Sequence, residues 1–114
     1  MKWIAVGVGV LVLGALLGTA LPVSAQSAPE IPLVIEKNRF QPDVIKVKAG
    51  QSFVLVITNK DKGPEELDMQ QPRIEKVIPG KSKATIYVGP LKAGEYKFVG
   101  EFNEKTAHGV IVAK

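Results

Sequence analysis

The sequence predicts an all-β protein, a Greek-key β-sandwich of about seven short strands that follows an export signal. Two observations support this prediction. Short runs rich in β-branched and aromatic residues are separated by turn residues roughly every eight to twelve positions, as in sandwiches and barrels. Beyond the first quarter of the chain no stretch shows sustained helical periodicity, apart from one helical turn expected near residues 65–70.

The predicted strands follow from local patterns. Residues 44–48 alternate apolar and charged side chains, as a half-buried strand does, whereas residues 52–58 are almost wholly apolar and are predicted to be central. Tight turns are expected at Gly50, Gly80 and Gly94, each with positive φ. The full set of predicted strands is 33–35, 44–48, 52–58, 75–78, 83–88, 95–99 and 109–113.

The first quarter of the chain is predicted to be a cleavable secretory signal. Lys2 supplies a basic start, residues 4–21 are almost wholly apolar, and small residues lead to Ala25, after which we expect cleavage. An uncleaved membrane anchor is the alternative, because the apolar run approaches the length that spans a bilayer. Either way we expect a periplasmic or otherwise extracytoplasmic protein, with a flexible leader over residues 26–32 and one domain over residues 33–114.

Composition excludes several classes of function. Without Lys2 the chain carries 14 basic against 11 acidic residues, mixed along its length, so nucleic acid is not an expected partner. Cysteine is absent, which removes thiolate nucleophiles, thiolate metal ligands and disulfides. Neither Ser52 nor Ser82 lies in a motif that would bring the single histidine beside it, so catalysis by a nucleophile is not supported.

Two stretches resemble the cupredoxin family and together span nearly the whole predicted domain. Residues 40–59 (FQPDVIKVKAGQSFVLVITN) resemble the family's F-x-P, strand, glycine turn and strand ending in Asn. Residues 94–98 (GEYKF) and 109–112 (GVIV) resemble its G-x-Y-x-F strand and the final strand that follows the metal loop. The resemblance implies the sandwich fold, and Asn59 is expected to hydrogen-bond backbone groups where its strand ends.

The same resemblance implies a metal site, but the ligands of type 1 copper are not kept. Matched by motif, the first histidine falls at Glu65 or Glu66, the cysteine at Gly100, the second histidine near Asn103 and the methionine near His108. A blue-copper centre needs a copper–thiolate bond, so a chain without cysteine cannot form one.

Other donors remain in the two loops that a cupredoxin brings to one end of the sandwich. Carboxylates with an imidazole suit Fe(II), Mn, Zn or Cu(II) in coordination rich in oxygen and nitrogen, and a thioether lies in the first of the two loops. The predicted metal ligands are Glu65, Glu66, Met69, Glu101 and His108. Glu104 is expected to be a solvated surface residue, and Phe102 is expected to cap the loop against the sandwich.

The chain further resembles a cupredoxin subgroup that is associated with bacterial iron uptake. The matching motifs are P-E-E at residues 64–66, E-K-V-I-P-G at 75–80 and G-E-F-x-x-x-T-A-x-G at 100–109. This resemblance implies two partners, an inner-membrane iron permease and a periplasmic iron- or copper-binding protein. The subgroup has histidine directly after the E-F pair, whereas this chain has Asn103 there.

Two functions follow from these expectations. The first is an extracytoplasmic metal-handling protein that binds iron or copper as an accessory to iron transport, with a ferroxidase-like redox role as one form of it. The second is a metal-free structural or interaction domain that docks on a membrane transport complex. The choice between them depends on whether the two acidic loops bring their donors together around one centre.

Overall fold

The computed structural model describes residues 28–114 and, ahead of them, only Gly18. Apart from that glycine, the predicted signal over residues 1–25 lies outside the described residues, as do residues 26–27 of the predicted leader. Within the described part of the chain, no helix is both long enough and apolar enough to cross a bilayer.

Nine strands make up the fold over residues 28–114. They are β1 (Glu30–Glu36), β2 (Arg39–Gln41), β3 (Val44–Val47), β4 (Phe53–Asn59), β5 (Glu65–Met69), β6 (Ile74–Ile78), β7 (Lys83–Val88), β8 (Gly94–Gly100) and β9 (His108–Ala113), with a 3₁₀ helix at Glu101–Asn103. One sheet has the order β2-β1-β4-β7 and the other the order β3-β9-β8-β5-β6. Both sheets are mixed, because β1 lies parallel to β4 and β3 lies parallel to β9. The predicted all-β sandwich is confirmed.

The prediction of a helical turn near residues 65–70 is wrong, because this segment forms strand β5. Its side chains are alternately buried and half-buried, and it pairs with β6 on one side and β8 on the other. Its sequence, EELDM, is rich in acidic residues that are depleted in strands. Pairing on both edges and burial of one face therefore override the weak local preference. The short strand β2 was not predicted either.

Strand β1 begins earlier than predicted, so residues 30–32 belong to the sheet and not to a flexible leader. Glu30 lies opposite Val54, and Pro32 lies opposite Val56, in the parallel ladder with β4. A proline fits at this point because β2 pairs only with the last three residues of β1, which leaves the edge beside Pro32 open.

The core lies between the inward faces of the two sheets, with Phe98 of β8 near its centre. Phe98 meets Phe40 edge to face, with 5.0 Å between the ring centroids. Its ring also lies over Gly109, where an added Cβ would approach the ring to 2.4 Å. Tyr96, two residues earlier on the same face, packs against this core and donates its hydroxyl to the Lys92 carbonyl at 2.7 Å.

Asn59 joins the end of β4 to the loop that leads into β5, as predicted. Its buried side-chain amide donates to the carbonyls of Gly63 and Ile78, at 3.0 and 3.1 Å. Its side-chain oxygen accepts from the N–H of Asp61 at 3.0 Å. The loop before β5 and the end of β6 are thereby held to the four-stranded sheet.

The turn after β6 is built differently from the prediction. Gly50 has the expected positive φ of 79°, but in this turn it is Lys81, with φ 55°, that takes the left-handed conformation and not Gly80. Gly80 is required for space, because an added Cβ would lie 1.9 Å from the carbonyl oxygen of Lys62. The turn therefore combines a close backbone approach with a lysine in a conformation that lysine rarely adopts.

A matched pair of phenylalanines tests this description of the core. We expect Phe98→Ala to lower the free energy of unfolding by about 3–5 kcal/mol, because a fully buried ring is lost and a cavity is left. We expect Phe102→Ala, four residues away and 51% exposed, to cost less than about 1 kcal/mol. Urea unfolding of both variants measures the difference, and equal losses would contradict the assigned core.

Candidate functional site

Three of the five predicted donors, Glu65, Glu66 and Glu101, lie at one end of the sandwich, which we call the pole. It comprises the start of β5, the end of β8 and the 3₁₀ helix that follows β8. Because side chains alternate along a strand, the donors on β5 point to opposite sides of the sheet. Glu65 and Met69 point inward and are each 1% exposed, whereas Glu66 points outward.

Met69 is a core residue at the far end of β5. It lies opposite Phe98 and Ile74 in the ladders on its two sides and belongs to the buried apolar cluster. Its thioether is therefore on the opposite face of the sheet from the carboxylate of Glu66.

Glu65 is the buried charge of the pole, and N–H donors surround it. One carboxylate oxygen, Oε1, accepts from the backbone N–H groups of Glu66 and Phe102, each at 3.0 Å. The other, Oε2, accepts from the side-chain amide of Asn103 at 2.7 Å. We call this set the Glu65 network. It satisfies a buried carboxylate without a cation, because N–H groups supply the compensating interactions.

Gly100 leaves the space that the Glu65 carboxylate fills. A Cβ added at this position would lie 2.6 Å from the carboxylate carbon of Glu65 and 2.7 Å from the Cβ of Ala107. A backbone hydrogen bond joins the two ends of the loop between β8 and β9 at the same place, because the Gly100 N–H donates to the Ala107 carbonyl at 2.7 Å. Any side chain at residue 100 would displace either Glu65 or the loop that returns to β9.

These contacts show that the pole does not fit a type 1 copper centre. The resemblance matched the cysteine to Gly100, the second histidine to Asn103 and the first histidine to Glu65 or Glu66. In the structure the carboxylate of Glu65 accepts a hydrogen bond from Asn103 and fills the space beside Gly100. Two of these positions, Glu65 and Asn103, thus belong to the Glu65 network, and the third, Gly100, leaves the space for its carboxylate.

An acidic surface lies on the outward face of the same sheet. Glu66 lies near enough to Glu101 for their negative charges to interact, and Asp68 lies directly opposite Glu75 on β6. Partial desolvation, together with the negative charges of Glu101 and Glu75, raises the pKa of Glu66 above its ordinary value of 4.5. Among the described residues, Oδ1 of Asp68 is the one buried side-chain oxygen or nitrogen without a hydrogen-bond partner. We call Glu66, Asp68, Glu75 and Glu101 the acidic surface.

His108 lies on the outward face too, but apart from the acidic surface. It is opposite Val99 on β8, and Asp68 is opposite Val99 on the other side. Two strand spacings therefore separate His108 from Asp68, about 10 Å between their Cα atoms. His108 instead lines a shallow groove with Arg39 and Thr106. Over residues 28–114 no three side chains of His, Cys, Asp or Glu are placed to hold one metal ion.

The sequence did not single out several residues that organise the pole. Asn103 was noted as a departure from a histidine, and its role as a donor to Glu65 was not foreseen. Phe102 was expected to cap the loop against the sandwich, yet it is half-exposed, and its backbone N–H is the group that contacts Glu65. Asp68 and Glu75 were not considered, since only their pairing across β5 and β6 brings them together.

The chain belongs to the cupredoxin-like domain family, whose model matches residues 9–113. An uncharacterised protein of Rickettsia prowazekii (strain Madrid E), RP394, is 30% identical over 83 residues, which make up 73% of this chain and 66% of that protein.

Solved structures agree with this family assignment at the level of the fold. Auracyanin A, a "blue" copper protein from Chloroflexus aurantiacus, has a TM-score of 0.65 at 11% identity, over 77% of this chain and all of that chain. The metal-binding domain of the Cu(I)-exporting P-type ATPase CopA of Streptococcus pneumoniae D39, with Cu(I), has a TM-score of 0.63 at 17% identity. That match covers 75% of this chain and 84% of the other. The fold is thus related to that of copper-binding proteins.

Two glycines provide a matched test of the Glu65 network. We expect Gly100→Ala to lower the free energy of unfolding by about 1–3 kcal/mol, because the new methyl group overlaps Glu65 and Ala107. We expect Gly89→Ala to be neutral or slightly stabilising, because nothing lies within 4 Å of an added Cβ there. Denaturant unfolding measures both, and a harmless Gly100→Ala would show that the pole is looser than described.

The acidic surface makes stability depend on pH in a defined direction. Since the pKa of Glu66 is raised in the folded protein, ionising this carboxyl destabilises the fold at neutral pH. We expect Glu66→Gln to melt above the wild type at pH 7. The difference in melting temperature between the variant and the wild type should shrink as the pH falls through the raised pKa of Glu66. It should vanish below about pH 4.5, where Glu66 is protonated in both the folded and the unfolded state.

Thermal unfolding across this pH range measures the gap between Glu66→Gln and the wild type. Glu30→Gln, at an exposed position on the other sheet, is the control. If Glu30→Gln raised the melting temperature at pH 7 as much as Glu66→Gln does, the effect would come from overall charge and not from the acidic surface.

Proposed function

We propose that this protein is an extracytoplasmic cupredoxin-type accessory domain that works without a metal at the pole and docks on a membrane transport complex. The observation that carries this proposal is the Glu65 network. At the position where the family resemblance implies a metal centre, a buried carboxylate is fully engaged by two backbone N–H groups and one side-chain amide.

The energetics of the Glu65 network favour a pole that folds on its own. A metal ion that recruited Glu65 would have to displace three hydrogen bonds to a buried charge, each worth about 1.5–3 kcal/mol. It would also leave the amide of Asn103 and two backbone N–H groups without an acceptor. The loop between β8 and β9 is already ordered by these bonds, so metal binding is not needed to fold it.

A docking surface accompanies the Glu65 network. The N–H of Phe102 donates to Glu65, and the residue is 51% exposed. Val77, 50% exposed on β6, lies opposite Glu66 in the ladder. An exposed aromatic ring beside carboxylates resembles the centre and rim of a protein interface. The negative charge of the carboxylates on this docking surface favours a partner with a basic surface.

The partner and the compartment are inferred from the sequence. The apolar N-terminal segment supports export, and the motifs shared with the iron-uptake subgroup support an inner-membrane iron permease as the docking partner, together with a periplasmic metal-binding protein. The copper-binding proteins that share the fold are in keeping with a role near metal transport.

A second candidate function is the handling of iron or copper at the acidic surface. It is favoured by Asp68, which has a buried carboxylate oxygen without a donor, and by the mutual repulsion of the Glu66 and Glu101 carboxylates. A divalent or trivalent cation would relieve the repulsion between these carboxylates. Only oxygen donors are close together there, so a hard ion such as Fe(III) suits this surface better than Cu(I).

Metal titration of the purified protein distinguishes the two candidates. On the first proposal, the melting temperature is the same in EDTA and with equimolar Fe(II), Fe(III) or Cu(II). A metal bound at 100 times its Kd would stabilise the fold by about 2.7 kcal/mol. Such a shift, abolished by Glu66→Gln with Glu101→Gln, would overturn the first proposal and support the second.

Capture of partners from native membranes tests the docking itself. We expect the wild type to retain a transporter, identified by mass spectrometry, equally well with and without EDTA. Phe102→Ala should lose it while keeping its melting temperature, because the exposed ring contributes to binding and little to the core. Glu30→Gln is the control for surface charge. Retention by Phe102→Ala would contradict docking through the pole.

A further inference from the structure

A shallow basic groove lies on the four-stranded sheet, away from the acidic surface. It has a volume of about 610 Å³ and is bordered by the end of β4 and the start of β7. The side chains that matter to its chemistry are Glu36, Thr58, Lys60, Lys81, Ser82 and Lys83. Three amines and two hydroxyls thus line one concave surface, against a single carboxylate.

The positive charge in the groove exceeds what the protein itself neutralises. The amine of Lys60 lies 3.6 Å from the carboxylate of Glu36, and the two side chains are 56% and 39% exposed, so water screens this pair and it is weak. The amine of Lys81 donates to the backbone carbonyl of Lys60, which orders the side chain but leaves its charge uncompensated. Lys83 begins β7 opposite Thr58, with no ion pair among the described residues. Two positive charges therefore remain.

The backbone conformation of Lys81 is a second indication that this groove has a function. Its φ of 55° is a left-handed conformation that glycine and asparagine adopt most readily. The turn holds it there, because the N–H of Lys81 donates to the carbonyl of Asp61 at 2.9 Å. A lysine at such a position lowers stability relative to glycine, and unfavourable backbone conformations of this kind are concentrated at functional sites.

We propose that this groove binds a phosphate group that carries two negative charges. Lysine amines bind phosphate as point charges, and the hydroxyl of Thr58 can donate to one of its remaining oxygens, whereas the hydroxyl of Ser82 donates to the Gly80 carbonyl at 3.1 Å. The volume lies within the range of small-molecule sites and exceeds what inorganic phosphate fills, so an organic group can accompany the phosphate. The source is either a soluble phosphorylated compound or the headgroup of an anionic lipid.

Substitution of Lys81 separates binding from stability. Lys81→Gly removes both the amine and the unfavourable backbone conformation, so we expect a higher melting temperature together with weaker phosphate binding. Lys83→Gln should weaken binding without the gain in stability. We expect each to lower the affinity about two- to fivefold, the loss of one exposed charge contact. Lys97→Gln, at an exposed position on β8 of the other sheet, is the matched control.

Amide chemical shifts of the purified full chain during titration with inorganic phosphate measure this binding. The expected result is a saturable change confined to residues 58–60 and 81–83. Cosedimentation with phosphatidylcholine vesicles that contain phosphatidic acid, a lipid whose phosphate is a monoester and can carry two negative charges, identifies the source when it is compared with vesicles of phosphatidylcholine alone. Binding to the anionic vesicles that Lys83→Gln weakens indicates a lipid headgroup, and binding to free phosphate alone indicates a soluble ligand. The proposal is overturned if neither probe binds at the groove, or if Lys97→Gln weakens binding as much as Lys83→Gln does.

Discussion

A single buried carboxylate organises the pole of this sandwich. Glu65 enters the interior as the first residue of β5, and its charge is stabilised there by three N–H donors. Two of these donors belong to the 3₁₀ helix after β8, so the same side chain determines the conformation of that loop. Burying a charge is costly unless it is hydrogen-bonded, and the loop would otherwise have free N–H groups. Carboxylate and loop therefore stabilise each other.

Strand periodicity separates residues that the chain order places together. Glu65 and Glu66 are neighbours, yet one supports the interior and the other joins Glu101 on the acidic surface. His108 shares the outward face with Glu66, but β8 lies between its strand and β5. The outward face therefore offers clustered oxygens and an isolated imidazole, an arrangement suited to basic groups or hard cations and unlike a soft copper site.

The small net charge of the chain conceals two oppositely charged surfaces. Carboxylates gather on the outer face of the five-stranded sheet, and lysines gather at the groove on the four-stranded sheet. A basic partner and a phosphate could therefore bind at the same time without sharing a residue. Such a separation of charge orients a small domain between two binding partners, because each surface attracts one sign and repels the other.

The sequence by itself determined the sandwich, the family and the loss of blue-copper chemistry, because these depend on local periodicity, turn residues and residue types. It did not reveal β5, whose acidic residues form a strand only when β6 and β8 pair with it. Nor could it tell the inward Glu65 from the outward Glu66. Only the tertiary structure decided that Glu65 fills the space at Gly100 and accepts hydrogen bonds from residues 37 and 38 positions away. Contacts over such distances depend on how the strands are paired, which no local pattern encodes.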